Sequence, residues 1–318
     1  MRAVVIREGS LVVEERPDPV PGDGQLLVAV EAAGLNGADL LQRAGHYPPP
    51  PGVPADVPGL ECAGTVVACG PGATSHRVGD RVMSIVPGGG QAELCLLDDA
   101  VAMAVPDGLS AAEAGGFPEV FTTAHDALVA QCALAAGERL LVTGAAGGVG
   151  LAAVQLGRLR GAEVVGSVRD EGLRPAVAGF GAGVVIDPEE EADHGPYDVV
   201  IELVGAGSFP LHLRSLKTGG RIVFIGVGGT GPTAELDARQ LMTRRAVVRG
   251  STLRVRSVRE KAEAARALAE DTLGLLASGA LSVPVAATYG LGEAERAYER
   301  FAAGGKLGKI VLVTKARP

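Results

Sequence analysis

The pattern of hydrophobic positions changes near residue 110. Before it, short β-favouring runs are separated by glycine and proline turns, and this spacing predicts a small barrel rather than strand–helix–strand units. After it, strand-like and helix-like segments alternate, which is typical of a doubly wound parallel sheet. The predicted strands are 3–7, 11–15, 25–33, 64–68, 81–85 and 92–97 in the first part, and 163–168, 183–186, 197–203, 221–225 and 246–249 in the second.

Helical periodicity is clearest over residues 258–278, where small and apolar side chains fall on one face and charged side chains on the other. A capping-box pattern that begins at Ser110 predicts an earlier helix, and residues 122–135 form a second helical stretch. The chain closes with a strand at 283–287, a helix at 293–303 and a strand at 309–313. Pattern alone leaves open whether this tail packs on the first part of the chain.

Residues 137–158 have the form of a strand, a turn of very small residues at 143–148, and a helix. In the frame of the dinucleotide-binding fingerprint, the glycine positions hold Ala145, Gly147 and Gly150, so the first glycine is replaced. The helix N-terminus after such a turn offers free N–H groups to a pyrophosphate. The turn by itself is also compatible with a tight strand-to-helix connection that binds no ligand.

The end of the next predicted strand indicates which dinucleotide is preferred. Arg169 stands nineteen residues after Gly150, where an acidic residue would favour NAD and an arginine suits the 2′-phosphate of NADP. Ser167 offers a hydroxyl and Arg174 a second positive charge. Asp170 is the competing acid, which would bind ribose hydroxyls after a small shift in register. Arg169 therefore favours NADPH, with an exposed arginine that binds no ligand as the alternative.

Composition narrows the function classes. The formal net charge of −8 over 318 residues argues against a nucleic-acid partner, which needs a concentrated basic face. No apolar run approaches the roughly 20 residues of a membrane span, and the start of the chain lacks a secretory signal, so we expect a cytoplasmic protein. The 4 cysteines and 5 histidines show no paired spacing typical of a metal site, and no G-x-S-x-G elbow indicates a hydrolase.

Two polar residues of the first part are candidates for catalysis. Asn36 offers a side-chain amide for a substrate carbonyl or a ribose, and Tyr47, which precedes the prolines at 48–51, offers a phenol. A phenol with a pKa of about 10 is a reluctant acid at neutral pH. The alternatives are a turn residue for Asn36 and an anchor of the proline loop for Tyr47.

At matching spacings, the chain resembles the zinc-independent quinone oxidoreductases related to ζ-crystallin, a branch of the medium-chain dehydrogenases/reductases. The resemblance covers essentially the whole chain. It is carried by Gly137-Glu138, Leu141, Ala145-Ala146-Gly147-Gly148, Gly150, Gln155 and Arg158, and by Asn36-Gly37-Ala38-Asp39-Leu40, Tyr47 with its prolines, Pro58-Gly59-Leu60-Glu61, Val78-Gly79-Asp80-Arg81-Val82, Thr123-Ala124 and Gly308-Lys309-Ile310-Val311-Leu312.

The resemblance implies an α/β protein with a GroES-like, β-rich catalytic domain formed by residues 1–117 and 257–318. This domain surrounds a Rossmann NADPH-binding domain at 118–256, and the active site lies in the cleft between them. Zinc-dependent relatives carry a cysteine where this chain has Asn36 and a histidine where it has Leu60, and they have a four-cysteine lobe that is missing here. The resemblance therefore implies that no metal is bound.

For the chemistry, the resemblance implies hydride transfer from NADPH to a quinone or to the β-carbon of an enone, with Asn36 and Tyr47 facing the nicotinamide. Related mitochondrial enoyl-thioester reductases have an asparagine and a tyrosine at this separation, and the tyrosine is assigned there as proton donor. With the residues already singled out, the expected cofactor-binding set is Thr123, Ala146, Gly147, Gly148, Val149, Gly150, Ser167, Arg169, Arg174, Ile225, Gly226, Val227 and Leu253.

Two alternatives and two departures accompany this expectation. The alternative functions are a 2-enoyl thioester reductase, and a cofactor-binding protein with a structural or redox-sensing role and little catalysis. Many family members place a phosphate-binding lysine where this chain has Leu173, and an aromatic residue where it has Gln91. Relatives are commonly dimers, so we expect a homodimer that acts on a small molecule.

Overall fold

The computed structural model describes residues 1–314, which form two compact units. The first consists of Met1–Thr122, Leu253–Gly304 and the tail from Lys309, and the second of Thr123–Thr252 and Gly305–Gly308. The domain limits predicted from the sequence, after residue 117 and before residue 257, lie close to these and remain predictions.

β-Strands form the framework of the first unit. Its strands are β1 (Arg2–Arg7), β2 (Ser10–Glu15), β3 (Gln25–Gly34), β4 (Glu61–Cys69), β5 (Arg81–Ile85), β6 (Leu94–Asp98), β7 (Met103–Ala104), β14 (Val285–Gly290) and β15 (Lys309–Val313). β1 and β2 form a hairpin, and the others form a seven-stranded sheet in the order β14-β15-β3-β4-β5-β7, with β6 paired to β3. The tail strand β15 runs antiparallel to β3, so the end of the chain is part of this sheet.

Alternation along β3 explains how this sheet makes a core. Leu26, Val28 and Val30 are buried on one face and belong to one hydrophobic cluster with residues of β4, β5 and β6, as the two-residue period of a half-buried strand requires. The helices of this unit are α1 (Gly37–Arg43), α2 (Ala111–Gly116), α8 (Val258–Ala277) and α9 (Ala294–Ala302), and α3 (Pro118–His125) leads from it into the second unit.

The second unit is a six-stranded parallel sheet. Its strands are β8 (Arg139–Val142), β9 (Glu163–Ser167), β10 (Val184–Ile186), β11 (Tyr197–Glu202), β12 (Leu216–Phe224) and β13 (Val247–Gly250), and its helices are α4 (Gly148–Leu159), α5 (Arg174–Gly179), α6 (Phe209–Arg214) and α7 (Ala238–Arg244). The strand order is β10-β9-β8-β11-β12-β13. Successive strands are added on one side of β8 as far as β10, and then on its other side from β11 to β13, as in a Rossmann sheet. The predicted doubly wound α/β class is confirmed.

Several elements differ from their prediction. The helical stretch predicted at 122–135 is the end of α3 followed by a π-helical turn, Asp126–Gln131, in which Gln131 donates to Asp126 Oδ2 and Ser251 Oγ. Helix α1 was not predicted, although Asn36 caps it and Asp39 accepts the Asn36 N–H in return. Among the described helices, none is long and apolar enough to cross a membrane.

Candidate active site

The turn between β8 and α4 is shaped by backbone contacts that exclude side chains. Gly144 adopts a φ of +57°, which a glycine tolerates without strain. A Cβ on Gly150 would lie 2.5 Å from the Gly144 carbonyl oxygen, so α4 can approach β8 this closely only with glycine there. Gly147 precedes α4 in an extended conformation and no side chain caps the helix. The first N–H groups of α4, at Gly148, Val149 and Gly150, therefore have no acceptor within the helix, as an anion-binding helix terminus requires.

Glu202 lies at the end of β11. It connects β11 to β8, the two strands between which the sheet order changes side. Its Oε1 accepts hydrogen bonds from Thr143 Oγ1 at 2.9 Å, from Val204 N at 2.7 Å and from Gly205 N at 3.0 Å. Thr143 Oγ1 in turn accepts the Leu203 N–H at 2.8 Å. The carboxylate thus fixes the loop after β11 against the start of the glycine turn.

The fully buried His212 lies between Glu202 and Glu191. His212 Nε2 lies 2.7 Å from Glu191 Oε2, and its Nδ1 lies 3.0 Å from Glu202 Oε2, in a contact that is short but poorly aligned for a hydrogen bond. Burial opposes the charge on the ring, but the hydrogen bond and attraction of the two carboxylates outweigh it and raise the pKa of His212 to about 9. At neutral pH the triad is an imidazolium between two carboxylates.

The end of β9 presents the groups predicted to select the dinucleotide. Ser167 is buried, and its hydroxyl has no hydrogen-bond partner within residues 1–314. Arg169 is exposed and its side chain is likewise unpaired in that part of the chain. Arg174 is already engaged, since it donates to Val168 O at 3.0 Å and to Asp187 Oδ2 at 2.6 Å. Asp170, the competing acid, accepts the Gly172 N–H and caps the following 3₁₀ turn.

Ser167 and Arg169 are therefore the two hydrogen-bond donors here with unused capacity. A buried hydroxyl without a partner costs free energy unless something else completes it, and a dinucleotide carries ribose and phosphate oxygens that accept such bonds. Together with the glycine cradle, these donors fit a dinucleotide. Asp170 uses only Oδ1 in its own turn, so its Oδ2 remains available for ribose hydroxyls.

The remaining cofactor candidates are placed as follows. Ala146 is partly exposed in the turn and its carbonyl accepts the Gly308 N–H at 2.9 Å. Thr123 is buried on α3. After β12, Ile225 and Gly226 both donate their N–H to Glu202 O, a Cβ on Gly226 would lie 2.1 Å from the Leu203 carbonyl oxygen, and Val227 is exposed. Leu253 belongs to the first unit, where it is buried.

In the first unit, Asn36 is held by a buried ion pair. Lys309 Nζ donates to Glu61 Oε1 at 2.6 Å and to Asn36 Oδ1 at 2.8 Å, and Asn36 Nδ2 donates to the same Glu61 oxygen at 2.9 Å. An ammonium only donates and a carboxylate only accepts, so these two neighbours fix which end of the amide is which. The second hydrogen of Nδ2 has only a long contact, 3.4 Å to Gly34 O.

Further carboxyl groups surround this pair. Glu61 Oε2 accepts the Glu119 N–H at 2.8 Å. Burial and the nearby Glu61 carboxylate raise the pKa of Glu119 to about 8. Burial also raises the pKa of Asp39, to about 6, although N–H donors from Asn36 and Gly59 oppose the shift.

Tyr47 lies in the same unit, under a buried arginine. The Arg254 guanidinium stands 4.9 Å from the centroid of the Tyr47 ring, and its Nη1 donates to Tyr47 O at 2.8 Å. This supports the anchoring interpretation of Tyr47 and leaves its catalytic role a prediction. Within residues 1–314, no group of three or more His, Cys, Asp or Glu side chains is placed to hold a metal ion, and Leu60 is buried and apolar.

Sequence reasoning overlooked the residues that support these groups. Gly144 stands one residue outside the fingerprint frame that was used. Glu61 and Lys309 belong to motifs that carry the family resemblance, but no role was predicted for them. Glu202 is an acid at the carboxyl end of a buried parallel strand, a position where ligands meet such sheets, and that signal was available.

Known proteins resemble the chain over its whole length. Residues 22–134 match the alcohol dehydrogenase GroES-like domain, and residues 148–270 match the zinc-binding dehydrogenase model. The human quinone oxidoreductase is 31% identical, with 98% of each chain covered. The acryloyl-coenzyme A reductase of Metallosphaera sedula is 33% identical, with 99% of this chain and 100% of that protein covered. A mycobacterial protein solved in complex with NADPH is 30% identical, with a TM-score of 0.87, over 98% of this chain and 100% of that one.

Proposed function

Because the chain belongs to the medium-chain dehydrogenase/reductase family, as a homologue of its quinone oxidoreductases, we propose that it is an NADPH-dependent reductase. It transfers hydride to a quinone or to an α,β-unsaturated carbonyl compound without a metal. The observation that carries the proposal is the exposed Arg169 at the end of β9, together with the uncapped glycine turn before α4. We further propose that the protein is a cytoplasmic homodimer. Light scattering would measure its mass in solution.

Each unit carries residues with a proposed role. In the second unit, the N–H groups of α4 would hold the pyrophosphate, Arg169 would bind the 2′-phosphate with Ser167 beside it, and Arg174 would add charge nearby. Thr123, the segment 225–227 and Leu253 complete the proposed contacts. When bound, NADPH supplies the hydride. The chain's own contribution is to orient the reactants and to stabilise the oxygen that becomes negative.

Asn36 is the proposed donor to that oxygen. Lys309 holds its Oδ1 and Glu61 holds one Nδ2 hydrogen. These two contacts fix the amide and therefore the direction of its other Nδ2 hydrogen. Lys309 also draws electron density from the amide, which strengthens the N–H as a donor. Tyr47 is the proposed proton donor to an enolate, and a quinone needs it less because its reduced oxygen is resonance-stabilised.

A second candidate is a 2-enoyl thioester reductase. It is favoured by the acryloyl-coenzyme A reductase, which matches this chain over its entire length at 33% identity. Both candidates use the same hydride chemistry and differ in the acceptor. A protein that binds the cofactor with little catalysis is the remaining alternative.

One assay separates these functions. NADPH oxidation is followed with 1,4-benzoquinone, 9,10-phenanthrenequinone, an alkenal, crotonyl-CoA and acryloyl-CoA in parallel, before and after dialysis against a chelator. We expect turnover of a quinone or the alkenal that survives chelation. Turnover of the thioesters alone would favour the second candidate, and loss of turnover after dialysis would refute the metal-free mechanism. NADPH binding with no turnover of any acceptor would refute the enzymatic proposal.

A further inference from the structure

Arg254 is a buried arginine where the chain returns to the first unit. Its side chain is 4% exposed, and it follows the buried Leu253 that opens this second stretch of the unit. Arginines are rarely buried unless their charge is paired. The buried charge of Arg254 therefore needs hydrogen-bond acceptors from the surrounding chain.

The guanidinium joins three separate segments. Nε donates to Pro87 O at 2.7 Å, Nη1 to Tyr47 O at 2.8 Å and Nη2 to Gln42 Oε1 at 2.6 Å. Its plane also lies against the Tyr47 ring, with 4.9 Å between the guanidinium carbon and the centroid. All three hydrogen-bond acceptors are neutral oxygens, and the carboxyl groups of Asp39 and Glu119 act on the guanidinium only through space.

The loop that carries Tyr47 is poor in backbone donors. Residues 48–51 and 54 are prolines, which lack an N–H and cannot donate backbone hydrogen bonds. Two of its backbone bonds are local, from His46 N to Leu41 O and from Val53 N to Pro50 O, and its far end is held by Gln42 Nε2, which donates to Ala55 O at 3.2 Å. On the other side, a Cβ on Gly88 would lie 2.7 Å from Val53 Cγ1, so the loop after Pro87 packs tightly against the same segment.

We propose that Arg254 is a positioning residue that fixes the Tyr47 ring and backbone for the reductase reaction, by joining the proline loop to α1 and to the segment at Pro87. This inference rests on the proposed function, because it assigns Tyr47 a place in that reaction. Arg254 acts through Tyr47 and does not itself touch the acceptor. Three guanidinium nitrogens donate in fixed directions to three separate acceptors, so lysine replaces Arg254 only in part.

A double-mutant cycle tests the proposal. Arg254→Met, Arg254→Lys, Tyr47→Phe and the double variant Arg254→Met/Tyr47→Phe are assayed for kcat and KM with an alkenal and a quinone, and NADPH affinity is measured separately. Arg259→Met is the matched control, since Arg259 is 84% exposed and only 3.9 Å from Glu263 in the same segment. Thermal unfolding shows that each variant is folded at the assay temperature.

We expect Arg254→Met to lower kcat with the alkenal by about tenfold or more, since small misplacements of a reacting group have effects of this size. The quinone rate should fall less, Arg254→Lys should recover part of the loss, and NADPH affinity and the control should stay near wild type. In the Tyr47→Phe background, Arg254→Met should add little, because the hydroxyl it positions is gone. Equal losses in both backgrounds, or no loss in either, would overturn the proposal.

Hydrogen exchange provides an arm that needs no activity. Exchange at the amides of His46, Tyr47 and Val53 should accelerate in Arg254→Met and stay unchanged in Arg259→Met. If the wild-type protein turns over no acceptor, the proposed function fails, and unchanged exchange would then show that the positioning of the Tyr47 loop fails as well. If the wild type is active and exchange is unchanged, the positioning inference alone is overturned.

Discussion

The buried triad of Glu191, His212 and Glu202 predicts a specific dependence of stability on pH. The perturbation is the deprotonation of His212, or its replacement by glutamine. Either one leaves two buried carboxylates without the cation between them, and Glu202 then loses part of what holds it against Thr143. Breaking a buried ion pair from one side is strongly destabilising.

The magnitude follows from the two pKa values of the same imidazole. The pKa of His212 is about 9 in the folded chain and about 6.5 in an unfolded one, so folding favours the protonated ring. The stabilisation is complete below pH 6.5, where both states are protonated, and it is lost as the pH rises through 9. A difference of about 2.5 units at 1.36 kcal/mol each corresponds to about 3 kcal/mol.

The assay is urea unfolding of the wild type and His212→Gln, followed by circular dichroism, at pH 6 and at pH 10. Other groups titrate in this range, among them Glu119, and they cancel when the two proteins are compared. We expect the free energy of unfolding of the wild type to exceed that of the variant by about 3 kcal/mol more at pH 6 than at pH 10. His46→Gln, at an exposed site, serves as control. A difference that is constant with pH, or that grows on the alkaline side, would refute the buried imidazolium.

Three further predictions concern the sites themselves. Arg169→Ala should weaken NADPH binding about tenfold or more and leave NADH binding within about twofold; equal losses in fluorescence titrations with both cofactors would remove Arg169 from the phosphate site. Gly150→Ala should destabilise the second unit by about 1–3 kcal/mol, since the new Cβ meets the Gly144 carbonyl, whereas Gly274→Ala, with open space around it in α8, should stabilise slightly; equal unfolding midpoints would contradict this. Lys309→Met should cost about 3–5 kcal/mol by isolating the Glu61 carboxylate, and Lys309→Met/Glu61→Gln should regain most of that stability but little of the turnover; recovery of both would show that the pair does not orient Asn36.

The fold could be predicted because its signals are local. The change from short strands to alternating strands and helices is visible in windows of a dozen residues, and the glycine turn marks the first crossover of the parallel sheet. The π-helical turn after α3 could not be predicted, since it depends on the hydrogen bond from Gln131 to Ser251, a residue 120 positions away. Helix α1 was within reach, because Asn36 and Asp39 form a capping box.

The site was predicted unevenly for a related reason. Residues that a motif names for ligand contact, such as Gly147 and Arg169, carry their chemistry in their type and spacing. The groups that hold Asn36 do not, since Lys309 reaches it across 273 residues of sequence and its meaning appears only when β15 pairs with β3. The interpretation of Tyr47 as an anchor of the proline loop did not include Arg254, which donates to the Tyr47 carbonyl.

Both units place a buried charge beside a second buried polar group. Lys309 and Glu61 hold the Asn36 amide, and His212 with Glu191 holds Glu202 against the glycine turn. Apolar side chains of similar volume would fill these places at equal or lower free-energy cost, because desolvating ions is expensive. They would not fix the orientation of the Asn36 amide or hold the N–H groups of the loop after β11. The physical advantage of the ionic arrangement is therefore orientation, and its loss should appear in rates and affinities of neutral double variants whose stability is intact.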